Sequence, residues 1–208
     1  PDYLDLFIAI TGRAPKAGVY LDEGRIAQTL ISVELPIIEP DDLFWSIMGW
    51  VAGKLSPNKI PLIKGLEHLK PETDDLKALC AAFGTTSGAP MLHISGHTPE
   101  AHLPPLSTAN SYFVDKNILN QALEELNKGE KAIDLVAIGS PHASFDEVRK
   151  INNYFLEQKC HPNITMIITV GRQTLIQLKK AGIYQQLMES NAQIIPDICW
   201  CSITEPVF

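Results

Sequence analysis

Positive charge is scarce in this chain. Its 17 Lys and Arg are outnumbered by 24 Asp and Glu, for a formal net charge of −7. No segment gathers the basic stripe that phosphate backbones require, which excludes a broad nucleic-acid surface. Long apolar runs are missing too: none approaches the roughly 20 residues that span a bilayer. The opening "PDYLDLFIAITGRAP" lacks the basic stretch and small-residue cleavage site of a secretory leader. A cytoplasmic protein that binds neither membrane nor nucleic acid is expected. The four cysteines, Cys80, Cys160, Cys199 and Cys201, are too few and too unevenly spaced for a disulfide framework. They are expected as thiols in a reducing compartment, with Cys80 in "DDLKALCAAF" a small core hydrophobe. The chain also lacks the G-x-x-x-x-G-K-[ST] phosphate loop, the G-x-S-x-G nucleophile elbow, short-period repeats and low-complexity tracts.

What is present is alternation. "AQTLISVEL", "IPLI", "MLHIS", "AIDLVAIG", "ITMIITV" and "AQIIP" read as short, apolar strands. Between them lie helical patterns: "EPDDLFWSIMGWVAGKL", "KPETDDLKALCAAFG" with Gly84 past its end, "VDKNILNQALEELNKG", "SFDEVRKINNYFLEQK" and "RQTLIQLKKAGIYQQLMES". "DYLDLFIAI" reads as a further helix at the start. Near-continuously apolar strands separated by helices predict an α/β fold, a three-layer sandwich around a mostly parallel sheet. "AHLPPLSTANSY", with two prolines and no periodicity, reads as a linker. If there are two α/β lobes, they are expected at 1–106 and 107–208.

Ligands of open α/β sheets bind at the carboxyl ends of the strands. Those ends read "GHTPEAH", "SPHAS", "GRQT" and "DICWC", each of them polar. Ser144 and Glu147 fit the S-x-x-E capping box of a helix start. That leaves Ser140 and His142 of "GSPHAS" without a structural reason. A zinc site drawn from Cys199, Cys201, His142 and Cys160 matches no closed ligand spacing. Residue patterns alone thus lead to an α/β domain with a ligand site at its strand ends.

Four stretches go further. "AITGRAPKAGVYLDEGRIA", "DDLKALCAAFGTTSGAPMLHISGHTPEA", "DLVAIGSPHASFDEVRKI" and "PDICWC" resemble, in this order, segments of the aconitase X family. The resemblance implies a hydro-lyase that dehydrates a hydroxy acid such as cis-3-hydroxy-L-proline or mevalonate 5-phosphate. It implies an iron or iron–sulfur centre held by cysteines in a large subunit, which works with a small swivelling subunit or domain. The matching motifs belong to the second half of that large subunit, so the rest of it is an expected partner besides the substrate.

Carried onto this sequence, the family pattern makes Cys199 in "PDIC" a metal ligand and makes Ser140, His142 and Ser144 the catalytic wall. Many relatives read G-C-P-H where this chain reads "GSPH", and a hydroxyl is a far poorer iron ligand than a thiolate. Arg13 in "ITGRAP" is expected to hold the substrate carboxylate or phosphate, since a guanidinium grips planar anions bidentately. His97 and Thr98 are further substrate-binding candidates. An aconitase-type cluster needs about three thiolates, so the 208 residues alone are expected not to dehydrate anything. Two other readings compete: a regulatory or assembly module that has lost the metal centre, and a small-ligand binding domain.

Overall fold

A computed structural model describes residues 2–34, 40–156 and 161–198. The chain divides into two compact units, with the break between Leu126 and Asn127. The first contains α1 (Asp2–Thr11), β1 (Thr29–Val33), α2 (Asp42–Leu55), β2 (Pro61–Lys64), α3 (Thr73–Thr86), β3 (His93–Ile94), β4 (Asn110–Val114) and α4 (Lys116–Leu126). Its four strands are parallel, in the order β3-β2-β1-β4. The step from β1 through β2 to β3 runs in one direction, so right-handed crossovers place α2 and α3 on one face. There Ile31 and Ile63 meet Met48, Leu79 and Phe83 in the main core. A smaller cluster lies on the opposite face. Leu62 and the partly buried Leu30 pack there with Ala27 and with Ala101 of a short 3-10 turn, Pro99–His102, in the β3–β4 connection.

Local chemistry sets the helix limits. The Asp41 carboxylate accepts from the Phe44 N–H at 2.9 Å, which starts α2. Glu72 and Asp75 form a reciprocal capping box at the start of α3. That helix runs through Gly84 to Thr86, beyond the expected stop. Cys80 is exposed on α3, because Leu79 and Phe83, four apart, take the buried stripe. The expectation of a core thiol is corrected accordingly. On α1, Tyr3, Leu6, Phe7 and Ile10 all stand in solvent.

The lobe boundary expected at 106/107 lies inside the first unit. Residues Asn110–Val114, read as linker and helix start, form β4 and pair with β1 from Thr29↔Asn110 to Val33↔Val114. Only Val114 of the five is buried, so this edge strand carries little apolar signal.

The second unit contains β5 (Leu135–Ala143), α5 (Phe145–Phe155), β6 (Thr165–Val170), α6 (Arg172–Lys180), α7 (Ile183–Glu189) and β7 (Ala192–Pro196). Its strands are parallel, in the order β5-β6-β7. Ile138, Ile168 and Ile194 sit in register across all three. They belong to a core with Val148, Leu178 and Leu187 of the helices. The single helix expected over 172–190 is two, because Gly182 adopts the left-handed φ of +76° between α6 and α7. Among the described residues no helix is long and apolar enough to cross a membrane.

Candidate functional site

The polar stretch after "LVAI" is a bulge inside β5 rather than a loop beyond it. Ile138 pairs with Ile168 and Ala143 with Val170, so Gly139, Ser140, Pro141 and His142 stand opposite Thr169 alone. A β-bulge re-aims side chains at the end of a strand. Two features hold this one. Gly139 has φ +113° and lies so close to β6 that a Cβ there would stand 2.4 Å from the Thr169 carbonyl oxygen. The fully buried Thr169 hydroxyl donates to the Gly139 carbonyl at 2.6 Å. Ser140 is thereby displayed on the surface, and His142 is half-buried.

The bulge reaches across the sheet to the turn after β7. His142 Nε2 lies 2.8 Å from the Ile198 carbonyl oxygen. A carbonyl only accepts, so Nε2 carries the hydrogen. Ile198 immediately precedes Cys199, which lies outside the described residues. Asp197 takes a left-handed φ of +59°, and its N–H continues the ladder to the Val170 carbonyl at 2.9 Å. Arg172, first residue of α6, donates its backbone N–H to Asp197 Oδ1 and its Nε to Oδ2, both at 2.9 Å. Its Nη2 adds a contact of 2.8 Å to Oδ2. The carboxyl ends of β5, β6 and β7 are thus tied together.

Ser144 is engaged in structure. Its hydroxyl accepts from the Glu147 N–H at 3.1 Å while its own N–H donates to Glu147 Oε2 at 2.7 Å, the full capping box of α5. Ser144→Ala is expected to lower stability by about 1–2 kcal/mol, read as an earlier urea midpoint with an unchanged slope.

The other candidates lie in the first unit. His97 Nε2 donates to the Leu66 carbonyl at 2.9 Å. Thr98 Oγ1 accepts from the Ile94 N–H at 2.9 Å and donates to the Ile94 carbonyl at 3.2 Å. Both side chains fasten the turn after β3 to the backbone. Beside that turn, Glu67 accepts from the Gly65 N–H at 2.8 Å. Burial pushes its carboxyl up, but hydrogen bonds from its own backbone, Ser95 and Gly65, with the Lys64 charge, outweigh this and hold it below the usual range. Arg13 is exposed after α1, and its guanidinium has no hydrogen-bond partner among the described residues.

Two domain descriptions of one family match in sequence order, the aconitase X second domain over residues 27–124 and the aconitase X third domain over residues 133–208. The chain belongs to the aconitase X family. The gap between the two matches contains the structural break at 126/127. A cis-3-hydroxy-L-proline dehydratase of Pseudomonas aeruginosa is 40% identical over 214 residues, covering 99% of this chain and 36% of the relative. The phosphomevalonate dehydratase large subunit of Thermococcus kodakarensis is 32% identical, over 94% of this chain and 50% of the relative. The crystal structure of Thermococcus kodakaraensis aconitase X in its holo-form superposes with a TM-score of 0.81 at 31% identity, covering 93% of this chain and 49% of that one. The chain therefore spans half or less of each of these proteins.

Aconitase X membership raises the question of an iron centre. Among the described residues no three His, Cys, Asp or Glu side chains stand together to hold a metal. Ser140 offers a hydroxyl rather than a thiolate, and Cys80 lies in the other unit. The described residues do not fit such a centre. Cys160, Cys199 and Cys201 lie outside the described residues.

Sequence reasoning passed over Thr169, Arg172 and Asp197. "GRQT" and "DICWC" were visible as polar strand ends. That Arg172 closes on Asp197 depends on the parallel register of β6 and β7, which no local pattern reveals.

Proposed function

We propose that the chain is part of an aconitase X-type hydro-lyase that removes water from a small hydroxy acid. The mouth of the three-stranded sheet supplies one wall of the substrate site. The observation that carries this reading is the bond from His142 to the Ile198 carbonyl, which joins "GSPH" to "PDIC", two motifs 56 positions apart. Family membership supplies the reaction class. The substrates in the relatives' names, cis-3-hydroxy-L-proline and phosphomevalonate, share a hydroxyl on the carbon β to a carboxylate. Dehydration breaks a C–H bond α to the carboxylate and the C–O bond at the β carbon, forms C=C and releases water. Ser140 presents its hydroxyl to the substrate, and His142 and Ser144 shape the wall; in the first unit Arg13 is the candidate for a carboxylate or phosphate, while the expected roles of His97 and Thr98 give way to their bonds with the backbone. Cys199 is assigned as an iron ligand in the complete protein, which works in the cytoplasm with the remainder of the large subunit and a small subunit.

The test uses the full-length protein with its small subunit. The NMR spectrum reports water loss by a vinylic proton from mevalonate 5-phosphate, and by loss of the C3 carbinol proton from cis-3-hydroxy-L-proline, whose enamine product tautomerises to the cyclic imine. Turnover of one is expected, and none from the isolated 208 residues. Arg13→Lys keeps the charge but loses the fork, and should weaken transition-state binding by about 1.5–3 kcal/mol in kcat/KM. Failure of the complete protein to dehydrate either compound would sink the reading. Unchanged kinetics in Arg13→Lys would leave Arg13 an ordinary surface residue. A module that has lost its metal centre is the competing reading, favoured by Ser140 in place of a thiolate. Iron and sulfide analysis of anaerobically purified full-length protein separates the two.

A further inference from the structure

The turn after β7 is held more firmly than its stability role requires. The Arg172–Asp197 pair is exposed, with 77% of the arginine side chain and 41% of the aspartate side chain in solvent. Ion pairs this open to water contribute little to folding. Yet three donors of one residue, the backbone N–H, Nε and Nη2 of Arg172, close on both oxygens of one carboxylate. The N-cap of α6 is Gly171, which has no side chain to cap with, and Asp197 supplies the missing acceptor from the neighbouring strand end. A carboxylate there also suits the positive end of the helix. The same residue is one of only two non-glycine residues with positive φ among those described. A left-handed Asp is tolerable but persists when surrounding contacts over-determine it.

The left-handed step at Asp197 redirects the chain, and one residue further on stands the Ile198 carbonyl that His142 holds at 2.8 Å. The chain of contacts therefore runs from Arg172 to Asp197, through the backbone to Ile198, and across the end of β6 to His142. We propose that Arg172 is a positioning residue: by wrapping Asp197 it sets the Ile198 carbonyl where it fixes the ring of His142 and the "GSPH" bulge. Its place in catalysis rests on the dehydratase reading above, but its effect on His142 does not.

Two readouts test this on the full-length protein. Selective 15N labelling of histidine reports the Nε2–H of His142, with His142→Gln identifying the signal. In the wild type this proton is hydrogen-bonded and slow to exchange with solvent. Arg172→Gln should abolish the protected signal and lower kcat about tenfold or more, with KM little changed and the melting temperature moved by no more than about 4 °C. Asp197→Asn, which tolerates the left-handed backbone, should do the same by removing the charge and one acceptor. Arg172→Lys, a cation without the fork, should recover only part of both readouts. A protected His142 signal in Arg172→Gln and Asp197→Asn would overturn the proposal, as would its loss with kcat intact. If the variants lose the signal and the wild type dehydrates no hydroxy acid, the positioning of His142 stands and the dehydratase reading falls.

Discussion

Gly139→Ala is expected to destabilise the second unit by about 2–6 kcal/mol, the sum of two penalties. The backbone at this position has φ +113°, outside what an L side chain adopts. A non-glycine residue held in such a region costs about 1–3 kcal/mol. The new methyl would also stand 2.4 Å from the Thr169 carbonyl oxygen and 2.5 Å from its hydroxyl. Both belong to β6, the central strand, so the neighbour cannot swing aside as a flexible side chain would. Overpacking of this kind costs about 1–3 kcal/mol more. Relief by moving β5 outward would break the Thr169 hydroxyl bond to the Gly139 carbonyl and release the bulge. In a unit of this size the loss lowers the thermal midpoint by about 8 °C or more. Gly129→Ala, with nothing within 4 Å of the added carbon, is the control and should not move it. A drop no larger than the control's would show that the bulge is not pinned to β6.

The second large effect is expected from Ile168→Ala. Ile168 is fully buried at the middle of the row Ile138–Ile168–Ile194, with α5 and α7 above it through Val148 and Leu187. Removing three buried carbons loses their transfer energy and leaves a cavity. Strands tied on both sides by ladder hydrogen bonds do not close on that cavity. The cost for such a truncation is about 2–5 kcal/mol, and the rigid setting argues for the upper half. Ile168→Val, one carbon smaller, should cost about 0.5–1.5 kcal/mol. Urea unfolding followed by hydrogen exchange of the β6 amides measures both. Equal costs for the two variants would mean that the site collapses freely.

How far the fold could be read depended on burial. The strands of the second unit were visible because β6 is apolar on both faces, and the start of α5 because Ser144 and Glu147 occupy fixed capping offsets. β4 escaped because a strand that buries only Val114 offers neither an apolar run nor alternation. The break at Gly182 escaped because apolar spacing continues on both sides of it, through Leu178 and Ile183. At the candidate site, residue types were legible and contacts were not. "GSPH" and "PDIC" stood out as polar strand ends, but the His142–Ile198 bond and the Arg172–Asp197 pair depend on which strands are neighbours. His97 and Thr98 looked equally suited to a ligand until their polar atoms proved to be bonded to the backbone around β3.

The two strand orders also bear on how the chain is made. Ribosomes deliver about 5–20 residues per second. In the second unit each strand finds its neighbour soon after it emerges: Leu135 waits only for Thr165, and Met166 only for Ala192. In the first unit, Thr29 of β1 must wait for Asn110 before that side of its ladder closes. During that interval β1 keeps an open edge beside finished β2, α2 and α3. Closing so long a loop is slow, and an unpaired edge beside apolar surface invites association with another nascent chain. Slower synthesis across residues 65–110 would lengthen that exposed interval.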